Sequence, residues 1–178
     1  MRMTTSDEAL ARAAAEGDAE AFSALVTRHY DRVFRLAFRL TGARAEAEDL
    51  TQDICTDLAG KIEKFGGKSR FTTWLYRLVV NAAHDRRRRR ATYVKATTGW
   101  GDWEVARRAE AEEKEEALDW LTTAMRALPE DLADTLALVL DDTTHAEAAE
   151  VLGVSEGTIS WRISEAKKRL RELKEQVA

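Results

Sequence analysis

Cationic, aromatic and amide side chains are mixed in one stretch of the sequence, residues 65–95. Nine basic residues stand here against the single acid Asp85, a local net charge of 9 − 1 = +8, although the whole chain carries −4. The mixture includes Lys68, Arg70, Trp74, Tyr76, Arg77 and Asn81. Surfaces that bind single-stranded DNA use this combination, because rings stack on bases and cations follow the phosphates. The stretch therefore favours a nucleic-acid surface.

Five consecutive arginines, residues 86–90, end this stretch. Arginines that neutralise phosphates release counterions and so favour association with DNA at moderate salt. A run of arginines is equally explained as the solvated end of a helix, where the helix dipole favours cations. The tract by itself favours neither interpretation. The aromatic residues beside it favour DNA binding.

No enzymatic chemistry is indicated. The three histidines, His29, His84 and His145, lie on different predicted helices without cysteine or acidic partners at ligand spacing, and no glycine loop, serine elbow or carboxylate pair appears. We predict no catalytic residue, no metal and no cofactor. The lone Cys55 cannot form an intramolecular disulfide, which favours a reducing, cytoplasmic setting. No apolar run reaches the roughly 18 residues that a membrane span needs, so membrane insertion is not expected.

These residues must be positioned by helices. Apolar side chains recur every three or four residues over residues 21–40, then up to Gly66, then from about residue 69 through the arginines. Gly42 is predicted to end the first helix. The same spacing places Leu50, Phe71 and Trp74 on buried faces, so Trp74 is expected in the core rather than on a stacking surface. With no strand-like alternation, the predicted fold class is all-α.

A helix-turn-helix is predicted near the C-terminal end. Thr144 and Glu147 match a capping box, Gly153 can supply a left-handed turn, and Ser155 can cap a final helix. In this motif the second helix enters the major groove, and basic residues beside it hold phosphates. An ordinary helical hairpin with a solvated charged face would give the same periodicity and stays open as an alternative.

The candidates for contacts with duplex DNA lie on this final helix. They are Ser155, Glu156, Thr158, Ser160, Trp161, Arg162, Glu165, Lys167, Lys168 and Arg169.

Two small domains joined by a flexible linker are predicted, with the helix-turn-helix in the second. The first domain covers residues 1–95, the linker 96–116 and the second domain 117–178. The boundary follows a change in charge: residues 102–119 carry eight acids and three bases, a local net charge of 3 − 8 = −5. Apolar periodicity is weak over the same stretch.

Five sequence blocks, in order, resemble the extracytoplasmic-function sigma factors of RNA polymerase, which belong to the sigma-70 family. The blocks are GDAEAF at 17–22, AEDLTQD at 47–53, FTTWLYR at 71–77 with Asn81 and Asp85, LP at 128–129, and AAEVLGVSEGTI at 148–159. The resemblance covers nearly the whole chain apart from the linker. It implies a specificity subunit that binds core RNA polymerase, reads the minus-thirty-five and minus-ten promoter elements, and melts the DNA.

The resemblance also implies roles for residues of the first domain. Core polymerase would be bound by the second predicted helix, through Asp49, Leu50, Gln52, Asp53 and Asp57. The minus-ten element, as a flipped base of the non-template strand, would be held by Lys68, Ser69, Arg70, Phe71, Trp74, Arg77, Asn81, Arg86 and Arg87. Opening DNA costs a few kcal/mol per flipped base, so a preformed pocket beside positive charge is required.

The second domain would read the minus-thirty-five element as duplex, and here the sequence departs from the family pattern. Trp161 and Glu165 stand where relatives usually carry basic or small polar residues, and Asp141-Asp142 replaces the usual acidic-Gly turn. These departures indicate unusual or weak minus-thirty-five reading.

Expected partners are core RNA polymerase, promoter DNA as duplex and non-template single strand, and an anti-sigma factor. The acidic linker would thread toward the active-site cleft and RNA exit path. A different reading is a degenerate sigma-like DNA-binding regulator that does not itself support initiation. The first domain argues against it, because a plain repressor needs neither an acidic core-binding helix nor a strand-opening segment.

Overall fold

In a computed structural model, residues 5–96 and 120–177 are described, and within these ranges the chain is helical without strands. The first domain holds the helices α1 (Asp7–Ala15), α2 (Ala19–Thr41), α3 (Arg44–Lys61) and α4 (Phe71–Ala96), with a 3-10 turn at Ile62–Lys64. The second domain holds α5 (Trp120–Arg126), α6 (Glu130–Val139), α7 (His145–Leu152) and α8 (Glu156–Val177). The predicted all-α fold class is confirmed.

The ends of α2 follow from local sequence. The Asp18 carboxylate accepts hydrogen bonds from the backbone N–H groups of Glu20 at 2.9 Å and Ala21 at 3.0 Å, which satisfies donors that the helix start leaves free. Gly42 ends the helix with a left-handed φ of +71°, as predicted. Helix α1 was not predicted; Ser6 caps it by accepting from the Ala9 N–H at 3.2 Å.

The core of the first domain fixes which faces of α3 and α4 remain outside. Its fully buried side chains include Leu25, Leu36, Leu50, Ile54, Phe71, Leu75 and Val79. Around the start of α4, the rings of Phe65 and Phe71 meet edge to face at 5.6 Å, and Trp74 lies 5.3 Å from Phe65 and 5.9 Å from Phe71. Trp74 is half-buried in this aromatic cluster, which agrees with the core position that its spacing predicted.

The second domain contains the predicted helix-turn-helix. Thr144 and Glu147 form both hydrogen bonds of the capping box at the start of α7. Gly153 ends α7 with a φ of +67°, a conformation that costs glycine little, and Ser155 accepts from the Thr158 N–H at 3.1 Å at the start of α8. Ile159, Ile163 and Ala166 are buried on one side of α8, so its opposite side faces outward.

The two domains are in contact where α2 ends. Arg126 of α5 donates a hydrogen bond to the Gly42 carbonyl at 2.8 Å. A Cβ at position 42 would lie 2.3 Å from Nε of Arg126, so this side chain would have to shift to admit any other residue, and the left-handed φ independently favours glycine. Helix α4 ends at Ala96, and most of the predicted linker lies outside the described residues. The exact domain boundaries therefore remain a prediction.

Candidate nucleic-acid interface

The acidic face predicted on α3 is open to solvent. Asp49, Gln52, Asp53 and Asp57 are exposed. Asp53 is 2.5 Å from the Arg86 guanidinium, and Asp57 is 2.6 Å from Lys61. Ion pairs this exposed contribute little to stability. These carboxylates remain available to a partner protein.

Two predicted contact residues are instead part of the core. Leu50 and Phe71 are both 0% exposed, so neither offers surface to a partner in this structure. The physical reason is their apolar spacing, which places them among the side chains that hold α3 and α4 together. In this structure they hold the neighbouring polar residues in place, and their assignment to partner surfaces remains a prediction.

The loop before α4 and the middle of α4 carry the accessible polar candidates for the minus-ten surface. Lys68 and Asn81 are exposed. Ser69 is half-buried and its hydroxyl donates to the Arg70 carbonyl at 3.3 Å. Trp74, on the same helix, is half-buried. The polar residue types expected of a strand-binding surface therefore lie along this loop and α4, and their role in binding remains a prediction.

Two arginines of this surface are occupied by the second domain. Arg70 places Nη1 2.7 Å from Oε1 of Glu147, although its side chain is 74% exposed. Arg77 donates through Nη2 to the Glu150 carbonyl at 2.8 Å, and its guanidinium lies 3.9 Å from the Glu150 carboxylate. Helix α7 therefore lies against the start of α4.

The Glu147 carboxylate serves both the cap of α7 and this contact. It accepts from the Thr144 backbone and hydroxyl and from Arg70. The backbone hydrogen bond from Thr144 is the largest reason that the pKa of Glu147 is lowered, and Arg70 adds to it. The charged form of Glu147 is thus favoured where it meets Arg70.

Further along α4, a second set of groups meets α6. His84 Nε2 is 2.6 Å from Asp134, while the Arg87 guanidinium bonds Asp134 at 2.7 Å and Glu130 at 2.8 Å. The ligand atoms of His84, Glu130 and Asp134 lie within 4.8 Å of one another, a grouping the sequence did not reveal. Arg87 bonds both carboxylates and His84 bonds Asp134, so in this structure the three side chains belong to an ion-pair network.

A third contact is centred on Asp141, which is 5% exposed. Its Oδ2 accepts from the Tyr76 hydroxyl at 2.5 Å, and its Oδ1 lies 3.2 Å from both Arg35 Nε and Arg39 Nη1. Burial, and then the hydrogen bond to Asp141, raise the pKa of Tyr76, so Tyr76 stays a donor. A buried carboxylate requires such partners. The neighbouring Asp142 has a φ of +58°, which explains why a glycine usually suits this turn.

An arginine-lined cleft of about 490 Å³ lies between the end of α4 and the helices α5 and α6. Its cations are Arg39, Arg86, Arg87, Arg89, Arg90 and Arg126. Three acids, Glu46, Glu130 and Asp134, line it as well, which leaves six positive against three negative charges. The tract predicted for phosphate contacts therefore borders a cleft with an excess of positive charge.

The outer face of α8 is largely free of the first domain. Glu156, Ser160, Lys167 and Lys168 are exposed. Trp161 is 60% exposed, an unusual position for so large an apolar ring. Several of the predicted groove-facing residues are thus accessible on this helix.

Three predicted duplex contacts on α8 are directed elsewhere or already paired. Arg162 points toward α6, with Nε 3.4 Å from Asp131 and 18% of its side chain exposed. Its Nε has no hydrogen bond of good geometry among the described residues. Glu165 accepts from Arg169 Nε at 2.9 Å and offsets its charge. Of the four cations predicted to contact the duplex, Lys167 and Lys168 are outside these two pairs and are exposed.

Sequence reasoning missed the acids of the second domain that contact the first. They are Glu130, Asp134, Asp141, Glu147 and Glu150. No local pattern marks them, because each meets a partner 40 or more positions away and only the packing of the domains creates the pair. The one available signal was Asp141-Asp142 at a turn where a glycine was expected.

Comparison with known proteins places the two halves of the chain in one family. The family descriptions "Sigma-70 region 2" and "Sigma-70, region 4" match residues 25–93 and 118–170. The chain is 34% identical over 173 residues to the ECF RNA polymerase sigma factor SigM of Mycobacterium tuberculosis, covering 97% of this chain and 86% of SigM. It is 29% identical over 168 residues to SigW of Bacillus subtilis, covering 88% and 90%.

Solved structures show the same fold. A structure of CnrH in complex with the cytosolic domain of CnrY aligns with a TM-score of 0.71 and 26% identity, over 97% of this chain and 99% of CnrH. The sigma factor RpoE of Bartonella quintana, in complex with the anti-sigma factor NepR, aligns with a TM-score of 0.71 over 88% and 98% of the two chains. At 22% identity RpoE supports the fold alone. Among the described residues, no helix is long and apolar enough to cross a membrane.

Proposed function

The chain belongs to the extracytoplasmic-function sigma factors of the sigma-70 family, and we propose which of its surfaces perform each step of that function. As a sigma factor it directs RNA polymerase to promoters. The surfaces are an acidic face on α3 for core polymerase, the start and middle of α4 for the minus-ten strand, and the outer face of α8 for the minus-thirty-five duplex. One observation carries the proposal: the three helices that the family blocks mark also present three exposed polar faces of distinct chemistry.

Core polymerase binds the α3 face in this proposal. Asp49, Gln52, Asp53 and Asp57 are exposed on one helix. Since the apolar side of α3 is buried in the domain core, the helix is rigidly held, and little ordering is required on binding. A row of carboxylates is suited to a basic partner surface and to fast, steered association.

The minus-ten strand binds at α4. Lys68 and Asn81 are exposed, Trp74 is half-buried, and Arg70, Arg77, Arg86 and Arg87 supply positive charge along or beside the same helix. Hydrogen bonding to the Asn81 amide would hold unpaired bases, while the cations hold the backbone. Phe65 and Phe71 pack against Trp74 and hold its ring in place.

The minus-thirty-five duplex is read by α8. Ser160, exposed on its outer face, shares a 3.2 Å contact with His145 of α7, which links the two helices of the motif. Trp161 is placed to pack on thymine methyl groups, and Lys167 and Lys168 to hold phosphates. Arg162 and Arg169 are paired with acids of the same chain. We therefore propose that α8 binds phosphates more weakly than it would if these two arginines were unpaired.

Further partners and the place of action follow from the family. CnrH and RpoE were solved with a bound protein, which in the case of RpoE is an anti-sigma factor. We propose an anti-sigma factor for this chain too, and action in the cytoplasm, where polymerase works. We propose that the polymerase catalyses RNA synthesis and that this chain selects the site where transcription starts. The alternative of a degenerate regulator is not favoured, because the relatives matched over 97% and 88% of this chain are named as RNA polymerase sigma factors.

Run-off transcription with purified core polymerase on a library of promoter-like DNA tests the proposal. The intact protein is expected to give discrete transcripts. Changing Asp49, Asp53 and Asp57 to alanine is expected to abolish core binding and transcription, because it removes three exposed charges from one partner surface.

A matched variant changes three exposed acids away from α3 to alanine, namely Glu16, Glu172 and Glu175. It should keep core binding. Equal loss in both variants would show that only net charge matters and would refute the α3 assignment. Core binding without any transcript would instead favour the degenerate regulator.

A further inference from the structure

Six arginines from three helices line the cleft between the end of α4 and the helices α5 and α6. Its volume of about 490 Å³ lies within the roughly 300–1,000 Å³ that is usual for ligand pockets. Three acids line it too, so six positive charges of the described lining stand against three negative ones. This size and charge suit a small anion with several negative charges. The arginines are Arg39 of α2, Arg86, Arg87, Arg89 and Arg90 of α4, and Arg126 of α5.

Two arginines of α4 can turn toward a ligand at little cost. Arg89 is exposed and forms no hydrogen bond or ion pair with any residue that the structure describes. Arg86 pairs with Asp53, whose side chain is 67% exposed, and pairs so exposed contribute little to stability. The two arginines are three positions apart, so they project from neighbouring points of the helix surface. Both can therefore bind an anion in the cleft without loss of a strong contact.

A third arginine, Arg87, has a donor that no acid uses. Its two terminal nitrogens bond Asp134 at 2.7 Å and Glu130 at 2.8 Å. Its Nε is buried and has no hydrogen-bond partner within the described part of the chain, and a buried donor without an acceptor is unfavourable. Phosphate oxygens accept hydrogen bonds from guanidinium groups, often two at a time. The acids of the protein thus leave part of the donor capacity of these arginines unused.

Apart from its charged residues, the lining of the cleft is mostly apolar. Leu40 and Ala133 are half-buried in it, and Ala83, Met125 and Leu128 are buried. Ligand pockets commonly combine such apolar side chains, which pack against rings, with a few polar groups that fix the orientation of the ligand. The cleft therefore offers arginines to phosphates and an apolar lining to a nucleotide base.

We propose that this cleft binds a small anion with at least three linked phosphates, the chemistry shared by nucleoside triphosphates and inorganic tripolyphosphate. Arg86 and Arg89 bind the phosphates from α4, and Arg126 adds positive charge from the second domain. A chain of phosphates engages several guanidinium groups at once, whereas a single phosphate engages one or two. The site shares Arg86 and Arg87 with the proposed minus-ten surface, but it does not require that α4 bind DNA.

Isothermal titration calorimetry of the intact protein with sodium tripolyphosphate tests the proposal, at about 50 mM salt and without divalent cations. We expect one ligand per chain. We also expect a melting temperature that rises with ligand concentration, because the ligand binds the folded protein. Orthophosphate should bind roughly tenfold more weakly, or weaker still. Absence of tripolyphosphate binding, or equal binding of orthophosphate, would overturn the proposal.

The same titration with ATP distinguishes the two sources of linked phosphates. Tighter binding of ATP than of tripolyphosphate would identify a nucleotide site that also uses the apolar lining. Equal or weaker binding of ATP would identify a site for the phosphate chain alone. Linked phosphates are the ligand in both cases.

Arg86→Gln with Arg89→Gln removes two charges of the cleft and should lower the affinity for tripolyphosphate about tenfold or more. Glutamine favours a helix nearly as well as arginine, so α4 should remain folded, which thermal unfolding checks. The matched control is Arg88→Gln with Arg171→Gln, because it removes the same charge from exposed arginines that do not line the cleft. The control should lose about threefold at most. Equal losses in the two variants would show that binding follows net charge, and the site would be refuted.

Ala133→Glu tests whether the cleft, rather than α4 alone, forms the site. Ala133 belongs to α6 and lines the cleft from the second domain. A carboxylate at this position should repel the phosphates and weaken binding about fivefold or more. Ala133→Gln, which is nearly the same size but uncharged, should have a smaller effect. If Ala133→Glu binds tripolyphosphate as tightly as the intact protein, the arginine tract binds phosphates without the second domain and the proposal is wrong.

Discussion

The two helices proposed to meet promoter DNA, α4 and α8, are presented very differently. On α4, Arg70, Arg77 and Arg87 are bonded to the second domain. On α8, Trp161, Lys167 and Lys168 face solvent. Both helices carry polar residues over a buried apolar side, so the difference arises from the domain contact rather than from the helices themselves.

The proposed surfaces differ in accessibility. In this structure the polar faces of α3 and α8 are exposed, whereas Arg70, Arg77 and Arg87 of α4 have partners in the second domain. A ligand that uses these arginines of α4 would have to replace those partners, and a ligand of α8 would not.

The largest expected effect separates the stabilities of the two domains. Ile159→Ala removes a side chain that is 0% exposed under α8 and should destabilise the second domain by about 2–5 kcal/mol. Core binding should survive, because α3 lies in the other domain. The matched Ile54→Ala removes a side chain that is 2% exposed under α3, and it should impair core binding itself. Thermal unfolding and a pull-down with core polymerase measure both effects.

If the two isoleucine variants lose core binding equally, the domains do not unfold separately. The two domains would then form one cooperative folding unit, and α4 and α8 could not be treated as parts of separately folding domains.

A smaller effect is expected from Lys167→Ala with Lys168→Ala. Duplex binding should weaken for all sequences, and the slope of log affinity against log salt should fall by about 2, one unit per lost phosphate contact. Binding to single-stranded DNA should hardly change, since α4 is untouched. Titrations at several salt concentrations give the slope. An unchanged slope would remove these lysines from the duplex surface.

The smallest effect concerns pH and His29, a buried histidine of α2 that lies beside Asp7 of α1. His29 is 4% exposed, and burial lowers its pKa despite the Asp7 carboxylate 2.9 Å away. The folded protein therefore resists protonation that the unfolded chain accepts below its ordinary pKa of 6.5. Stability contributed by neutral His29 is complete above that pH and is lost as the pH falls through it. Melting temperatures at about pH 7.5 and 5.5 should differ less in His29→Gln than in the intact protein; the exposed His145→Gln should leave the difference intact.

Local chemistry made much of the fold predictable. The capping box at Thr144 and Glu147, the turn at Gly153 and the stop at Gly42 each depend on residues within a few positions of one another, and all three are confirmed. Periodicity also placed Leu50 and Phe71 inside. Their burial is confirmed, while the resemblance to the family also assigned them to partner surfaces, which remains a prediction.

The contact between domains was beyond the sequence alone. Asp141 is 65 positions from Tyr76 and more than 100 from Arg35, and nothing near it in sequence says which cations it will meet. Likewise, the arginines of α4 read as a surface for phosphate, and only the packed structure shows carboxylates there. Carboxylate and phosphate oxygens accept hydrogen bonds from a guanidinium in the same way. The charge pattern of a sequence therefore cannot show whether an arginine binds another part of the chain or DNA.

Gly42, at the end of α2 in the first domain, lies close to the Arg126 side chain of the second domain. Asparagine tolerates a left-handed turn and could replace a glycine that only ends a helix. At position 42, however, an added Cβ would lie 2.3 Å from Nε of Arg126 in the other domain, so the arginine side chain would have to move. A substitution at position 42 would therefore disturb the hydrogen bond that Arg126 donates to the carbonyl of residue 42, and with it a contact between the domains, as well as the end of α2.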